Sequence, residues 1–428
     1  MADTFTEVTE KSWFGRLKDA MFGIIFGLLL TVGSIVLLFW NEGRAVQTYK
    51  SLLEGASSVI SVIAEKIEQN NEGKLVHVKG LATTDETLTD PGFNVSAKAL
   101  RLERSVEMYQ WTESKTEKEE KKVGGGTTKV VTYDYRKDWS DKLNSSRNFK
   151  KPEGHANPSE MPYQPLSLAA EKAKLGAFGL TESLVKSLSN FEKFSINELP
   201  AGTTEPATNA ESVSPVESKV ATSVESGAVA SIGAEAVASD AVTPTTVSKP
   251  TLVPFEDGLY LGMNPRDPMV GDVKVSFRHV KPQTVSIVAK QAGSSFEPYK
   301  TQAGGTIEMI RSGEFTADAM FAAAQSENNM ITWLARLGGF LLMGIGFSLF
   351  LNPISVVFDV LPFLGNIAET GISFISFFAA AFCSFATIGA AWIFYRPVIG
   401  IILFVLAFGA LAGLASLRKT GKTASPAV

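Results

Sequence analysis

Apolar and polar positions divide this chain into blocks. Residues 21–40 form an uncharged apolar run of about 20 residues, the length an α-helix needs to cross roughly 30 Å of hydrocarbon. No comparable run recurs until Ile331, and from there the chain is apolar almost to its end. The pattern predicts a membrane protein with four α-helical transmembrane spans, one N-terminal (21–40) and three C-terminal (331–351, 371–394 and 398–417). Residues 1–20 and 418–428 are short tails. Between the first two spans, 41–199 and 255–330 carry the pattern of a large α+β domain rich in antiparallel strands.

Glycine spacing and aromatic girdles refine the spans. Gly23 and Gly27 stand four apart, as do Gly409 and Gly413; such pairs let helix backbones approach closely, the alternative being that glycine is simply common in membrane helices. Trp392, Tyr395, Arg396 and Pro397 separate the third and fourth spans with aromatic rings, one cation and a helix breaker, which reads as a tight hairpin at a membrane surface. Residues 354–364 are apolar but too short to span, so 352–370 is expected to be interfacial or re-entrant; an extension of the second span past Pro353 is the alternative.

Within the polar block, period-two alternation marks strands. Leu100, Leu102, Val106 and Met108 share one parity, and Val131, Tyr133 and Tyr135 alternate with Thr132, Asp134 and Arg136. The run 113–122 between them mixes Glu and Lys and precedes Gly124, Gly125 and Gly126, so a long charged hairpin loop is expected there. Val273, Val275 and Phe277, followed by 285–289, suggest a second hairpin. Thr181 is placed to cap a short helix, and Thr316 to cap one leading through Met320 and Phe321 into the second span.

Composition adds four constraints. Residues 200–254 contain no aromatic ring before Phe255 and are dominated by Ala, Val, Ser, Thr, Glu and Pro, which predicts a disordered low-complexity insertion. That stretch holds six acids and two lysines, so the whole net charge of −4 resides in it and no basic surface for nucleic acid is implied. A single cysteine, Cys383, excludes intramolecular disulfides. Lys11, Arg16 and Lys18 before the first span and Arg418, Lys419 and Lys422 after the last favour cytoplasmic tails, which would put the large domain on the extracytoplasmic side; the absence of Lys and Arg from 352–370 argues the other way. Arg336, in the first turns of the second span, is expected to snorkel outward.

Catalytic patterns are sparse. The histidines His77, His155 and His279 stand at no metal-ligand spacing, and no phosphate-binding loop, dinucleotide fingerprint or nucleophile elbow is present. The reading is therefore non-enzymatic, with no catalytic, metal or cofactor residues assigned. The spans offer hydroxyls such as Ser376, Ser384 and Thr387, which would line a pore only if several copies assembled. A membrane-bound hydrolase using His155 and a nearby acid is the third alternative.

Several ordered stretches carry a family resemblance: Leu38-Phe39-Trp40-Asn41-Glu42-Gly43-Arg44-Ala45-Val46, Asn71-Glu72-Gly73-Lys74-Leu75, Met108-Tyr109-Gln110-Trp111, Gly154-His155-Ala156-Asn157-Pro158, Asp272-Val273-Lys274-Val275 and Trp392 through Pro397. The chain resembles the LUMA family, also called the transmembrane protein 43 family. The resemblance implies four spans, a lumenal domain and no established catalytic residues. It also implies a role in organising membrane protein complexes, and the missing catalytic set and glycine-spaced helices give the same expectation of a scaffold, with the lipid bilayer, other membrane proteins and further copies of itself as partners. Emerin and lamins are expected at the endoplasmic reticulum and inner nuclear membrane only for a eukaryotic source; a bacterial source implies the inner membrane. Residues 200–254 depart from the family as an insertion.

Overall fold

The computed structural model describes residues 3–195 and 251–398, together with 400–402 and 405. The N-terminal strand β1 (Asp3–Lys11) precedes a single helix α1 (Trp13–Ser58), capped by Ser12, whose hydroxyl accepts from the Gly15 N–H. The expected 21–40 span is thus the apolar middle of a 46-residue helix, about 69 Å long at 1.5 Å per residue. Among the described residues three helices are long and apolar enough to cross a membrane: α1, α3 (Ala317–Phe358) and α4 (Pro362–Tyr395), with α2 (Glu182–Ser187) a short helix in the domain. Thr181 and Thr316 cap α2 and α3 as their positions foretell. The fourth expected span, 398–417, lies almost entirely outside the described residues.

Two large sheets build the domain, beside two small two-stranded ones among the described residues. The first runs in the order β1, β5 (Thr127–Ser140), β4 (Arg101–Lys121), β8 (Val273–Val280), β7 (Gly258–Gly262) and β6 (Thr251–Phe255). The second centres on β3 (Leu75–Thr83) paired with β9 (Gln283–Ala292), flanked by β2 (Ile60–Ile63) and β10 (Met309–Ser312). Alternate residues of β8, Val273, Val275 and Phe277, enter a core with Leu102, Val106, Met108 and Phe93, as period-two strands require. A further core, Leu52, Leu75, Val288, Ile307, Met320 and Phe321, joins the domain end of α1 and α3 to the second sheet. Both helices therefore continue from membrane into domain without a break.

Several expectations are corrected. Residues 113–121 are not a loop: β4 continues to Lys121, and the turn is confined to the residues up to Gly126. Charge pairing explains it, since Glu117 binds both Lys115 and Lys129 while Lys118 binds Glu120, giving the ribbon side-chain partners along its length. The Val273 and Val285 strands do not form a hairpin. Lys281 and Pro282 join them in place of a glycine turn, and the chain crosses from β8 in one sheet to β9 in the other. The second span does extend past Pro353, to Phe358, and Pro362 opens α4, so 352–370 is a helical turnaround and not a separate re-entrant segment. Residues 251–254 belong to β6, where Leu252 and Val253 pair with Leu261 and Tyr260, so the domain resumes four residues before the expected boundary.

The N-terminal tail is likewise not free: all nine residues of β1 pair with β5. Strands β1, β5 and β4 make a three-stranded ribbon rooted in the domain through β8, with its tip at the opposite end of the helices. There Asp359, fully buried in the turn after α3, receives Arg16 of α1 at 2.6 Å and Lys121 of β4 at 2.9 Å. The Gly124 N–H donates to the Val360 carbonyl at 3.0 Å, and the Trp13 indole N–H to the Val356 carbonyl at 2.7 Å. Gly125, at φ +79°, lets the turn lie on the Trp13 ring, where a Cβ would come within 2.4 Å.

Candidate functional site

The helices come into backbone contact within the apolar run. Gly27 faces Gly346, and a Cβ on Gly27 would lie 2.6 Å from the Gly346 carbonyl, so α1 and α3 are in backbone contact there. About three turns nearer the domain along α1, Leu38 fills the space over Gly339 and packs with Met343 and Ala380. Gly43 performs the same service for α4: its missing side chain makes room for the Tyr395 ring, which also touches Phe39.

Polar residues converge on this level from all three helices. Glu42 is 2 % exposed, and its carboxylate takes both Arg336 donors, Nε at 2.6 Å and the second guanidinium nitrogen at 2.9 Å. The Trp392 indole N–H adds a third bond at 2.8 Å, and the Arg336 guanidinium lies over the Trp333 and Trp392 rings. One turn further, Arg44 donates to Asn41 Oδ1, Asn328 Oδ1 and Thr332 Oγ1, while Asn328 donates to the Ala45 carbonyl. Arg396 reaches back over the Tyr49 ring. Each buried charge thus has an opposite charge or several dipoles, the condition for leaving water.

Of the sequence-singled residues, Asn41, Glu42, Gly43, Arg44, Trp392, Tyr395 and Arg396 come together here. Trp40 instead points outward and is 59 % exposed, and Pro397 opens the next helical turn. Arg336 is corrected: it turns inward to Glu42 because a bidentate carboxylate is available, and does not snorkel. The contributions of Asn328 and Thr332 were missed, although with Arg336 they stand at i, i+4, i+8 on one face of a helix.

The remaining signature residues sit elsewhere. Met108 is fully buried in the first sheet, and Tyr109 packs on Trp139. Gly154, at φ +84°, turns the chain so that His155 stacks on Tyr135 at 4.0 Å and meets the edge of Trp111 at 4.7 Å. His155 Nδ1 bonds the Lys151 carbonyl, and Nε2 lies 3.0 Å from Asp3 of β1. An acid does stand beside His155, yet the ring is 1 % exposed, stacked on Tyr135 and edge-on to Trp111, a structural setting with no open side for substrate. Among the described residues no group of three His, Cys, Asp or Glu is placed to hold a metal ion.

Comparison with known proteins agrees with the resemblance. Mouse Transmembrane protein 43 is 29 % identical over 413 residues, covering 94 % of this chain and 92 % of the relative. The human protein is 28 % identical over 410 residues, covering 93 % and 91 %, and the Drosophila melanogaster homolog is 28 % identical over 394, covering 89 % and 91 %. No solved structure matches the chain. With a family profile matching residues 108–397, well over half its length, and three apolar helices around a paired polar cluster, this chain is an integral, multi-pass membrane protein that belongs to the Transmembrane protein 43 family, the LUMA family.

Proposed function

We propose that the chain is a non-enzymatic membrane scaffold whose sheet domain, outside the bilayer, binds other membrane proteins while the helix bundle holds it at a fixed attitude. The observation that carries this reading is the cluster around Glu42 and Arg336, which locks α1, α3 and α4 together where two of them continue into the domain. A buried ion pair of this kind is a poor device for catalysis without an open cavity, and a good one for fixing register between helices. The domain is assigned to the extracytoplasmic side. For a eukaryotic source the resemblance adds organisation of the endoplasmic reticulum and nuclear envelope, with emerin and lamins as partners; for a bacterial source it adds neither.

The test is cross-linking in native membranes followed by mass spectrometry. A defined set of neighbours that disappears in Glu42→Gln is the expected result. An unchanged set in a chain deleted of its sheet domain would overturn the reading.

A channel or transporter component is the second reading, favoured by one observation. Ser348, Asn352 and Ser376 line a groove of about 490 Å³ between α3 and α4, and the buried Ser376 hydroxyl has no protein partner among the described residues. Conductance in reconstituted bilayers, lost on substituting Ser376, would favour it over the scaffold.

A further inference from the structure

The ribbon of β1, β5 and β4 runs from the domain to the far end of the helices, past their apolar surfaces. Its two flanking strands are level: Asp3 and Glu113 both stand opposite Tyr135, and Lys11 and Lys121 both stand opposite Thr127. The outer edge of β4 is occupied only as far as Trp111, by the Asp272 carbonyl on Tyr109 and by Asn157 on Trp111. From Glu113 to Lys121 no strand pairs with that edge, and none pairs with the outer edge of β1, among the described residues. Two unpaired edges of nine residues each therefore bound the ribbon on either side. At about 3.3 Å per residue they are close to 30 Å long, the thickness of the hydrocarbon layer the adjacent helices span.

Such a ribbon cannot face lipid. Unpaired N–H and C=O groups have no partner in hydrocarbon, and strands at membrane depth persist only when their edges are closed and their polar faces meet water or protein. Both faces carry charges and hydroxyls at every level, with Thr4, Thr6, Thr132, Thr116 and Lys118 beside Val8 and Val130 on one, and Glu7, Lys129, Lys115 and Glu117 beside Phe5, Val131 and Tyr133 on the other. Strand direction points to what closes the edges. Because β1 and β4 both run antiparallel to β5, they run parallel to each other. In copies related by a rotation about an axis along the ribbon, β1 of one copy therefore meets β4 of the next in parallel, flush at both ends, and the arrangement repeats until it closes.

We infer that the ribbon edges are the self-association surface of this protein, with β1 of one copy pairing with β4 of its neighbour to form a closed, water-lined set of strands inside a ring of helices. The inference rests on the membrane placement of the helices and not on the scaffold reading.

Cysteine pairs test it in the full chain carrying Cys383→Ser. Thr6 and Thr116 both stand opposite Thr132, two strand spacings apart or about 9.6 Å, too far for a disulfide within one copy. Across the proposed seam they lie one spacing apart. Oxidation in native membranes of Thr6→Cys combined with Ser114→Cys, Thr116→Cys or Lys118→Cys covers three registers. At least one pair should give a ladder of cross-linked species on denaturing gels, while each single variant runs there without cross-links. Independently, mass photometry of the wild-type chain in mild detergent should give a multiple of 46.0 kDa. A chain that resists carbonate extraction, stays monomeric in mass and cross-links at no register would overturn the inference and leave the scaffold reading standing. Release by carbonate would instead overturn the membrane placement on which both depend.

Discussion

Glu42 shows how much one side chain holds. Its carboxylate accepts from Arg336 twice and from Trp392 once inside the bundle, so Glu42→Gln leaves a guanidinium without its counter-charge. Breaking a buried pair in this way costs about 3–5 kcal/mol. A fall in the thermal midpoint of the detergent-purified protein is expected, with recovery when Arg336→Met is added; no recovery would mean that the pair acts through Trp392 alone. His77 offers a test in the domain. Its Nε2 bonds the Phe315 carbonyl and its Nδ1 lies 3.1 Å from the Ser61 hydroxyl, and desolvation holds the imidazole below its ordinary value of 6.5. The unfolded chain therefore takes up the proton first as pH falls, so domain stability declines on acidification below about 6.5. Melting curves between pH 7.5 and 5 should show this slope, and His77→Gln should flatten it.

At the scale of elements, the glycines of α1 are not equivalent. A side chain at Gly27 meets the backbone of α3, whereas one at Gly33 meets nothing within 4 Å. Gly27→Leu is expected to destabilise the bundle by about 1–3 kcal/mol, as overpacking does, and Gly33→Leu to change little, read by unfolding in mixed detergent micelles. Equal effects would show that the helix contact is not made at Gly27. Apolar length and glycine spacing made the three described spans and this contact legible from the sequence. The strand in 113–121 was not, because alternating Glu and Lys looks like solvated loop until Val131, Thr132 and Tyr133 are seen to be its partners. Nor was β1, since a nine-residue polar stretch ahead of a span carries no pattern of its own and forms a strand only against β5.

The whole molecule is a sheet domain and a helix bundle that share two helices. Its polar cluster was half legible: the residues of α1 and α4 stood out in the sequence, but nothing in it says that positions about 290 apart, Glu42 and Arg336, meet. Long-range pairing of this kind depends on the topology that brings α3 back beside α1. The same topology sets where the chain leaves and re-enters the first sheet. The chain leaves the first sheet just after Glu192 and Lys193, which pair with β8, and re-enters it at β6, two strands away, with Lys193 and Asp257 3.1 Å apart. Departure and return on one sheet make the length of that connection nearly irrelevant to stability, since each doubling of a loop adds only about 0.6 kcal/mol. Replacing 200–248 with a Gly-Ser linker of about eight residues, which reaches roughly 16 Å, should leave the melting temperature within about 2 °C. This edge is therefore a docking port in the engineering sense, where a tag, a fluorescent domain or a tether can be inserted while both sheets and the membrane helices stay as they are.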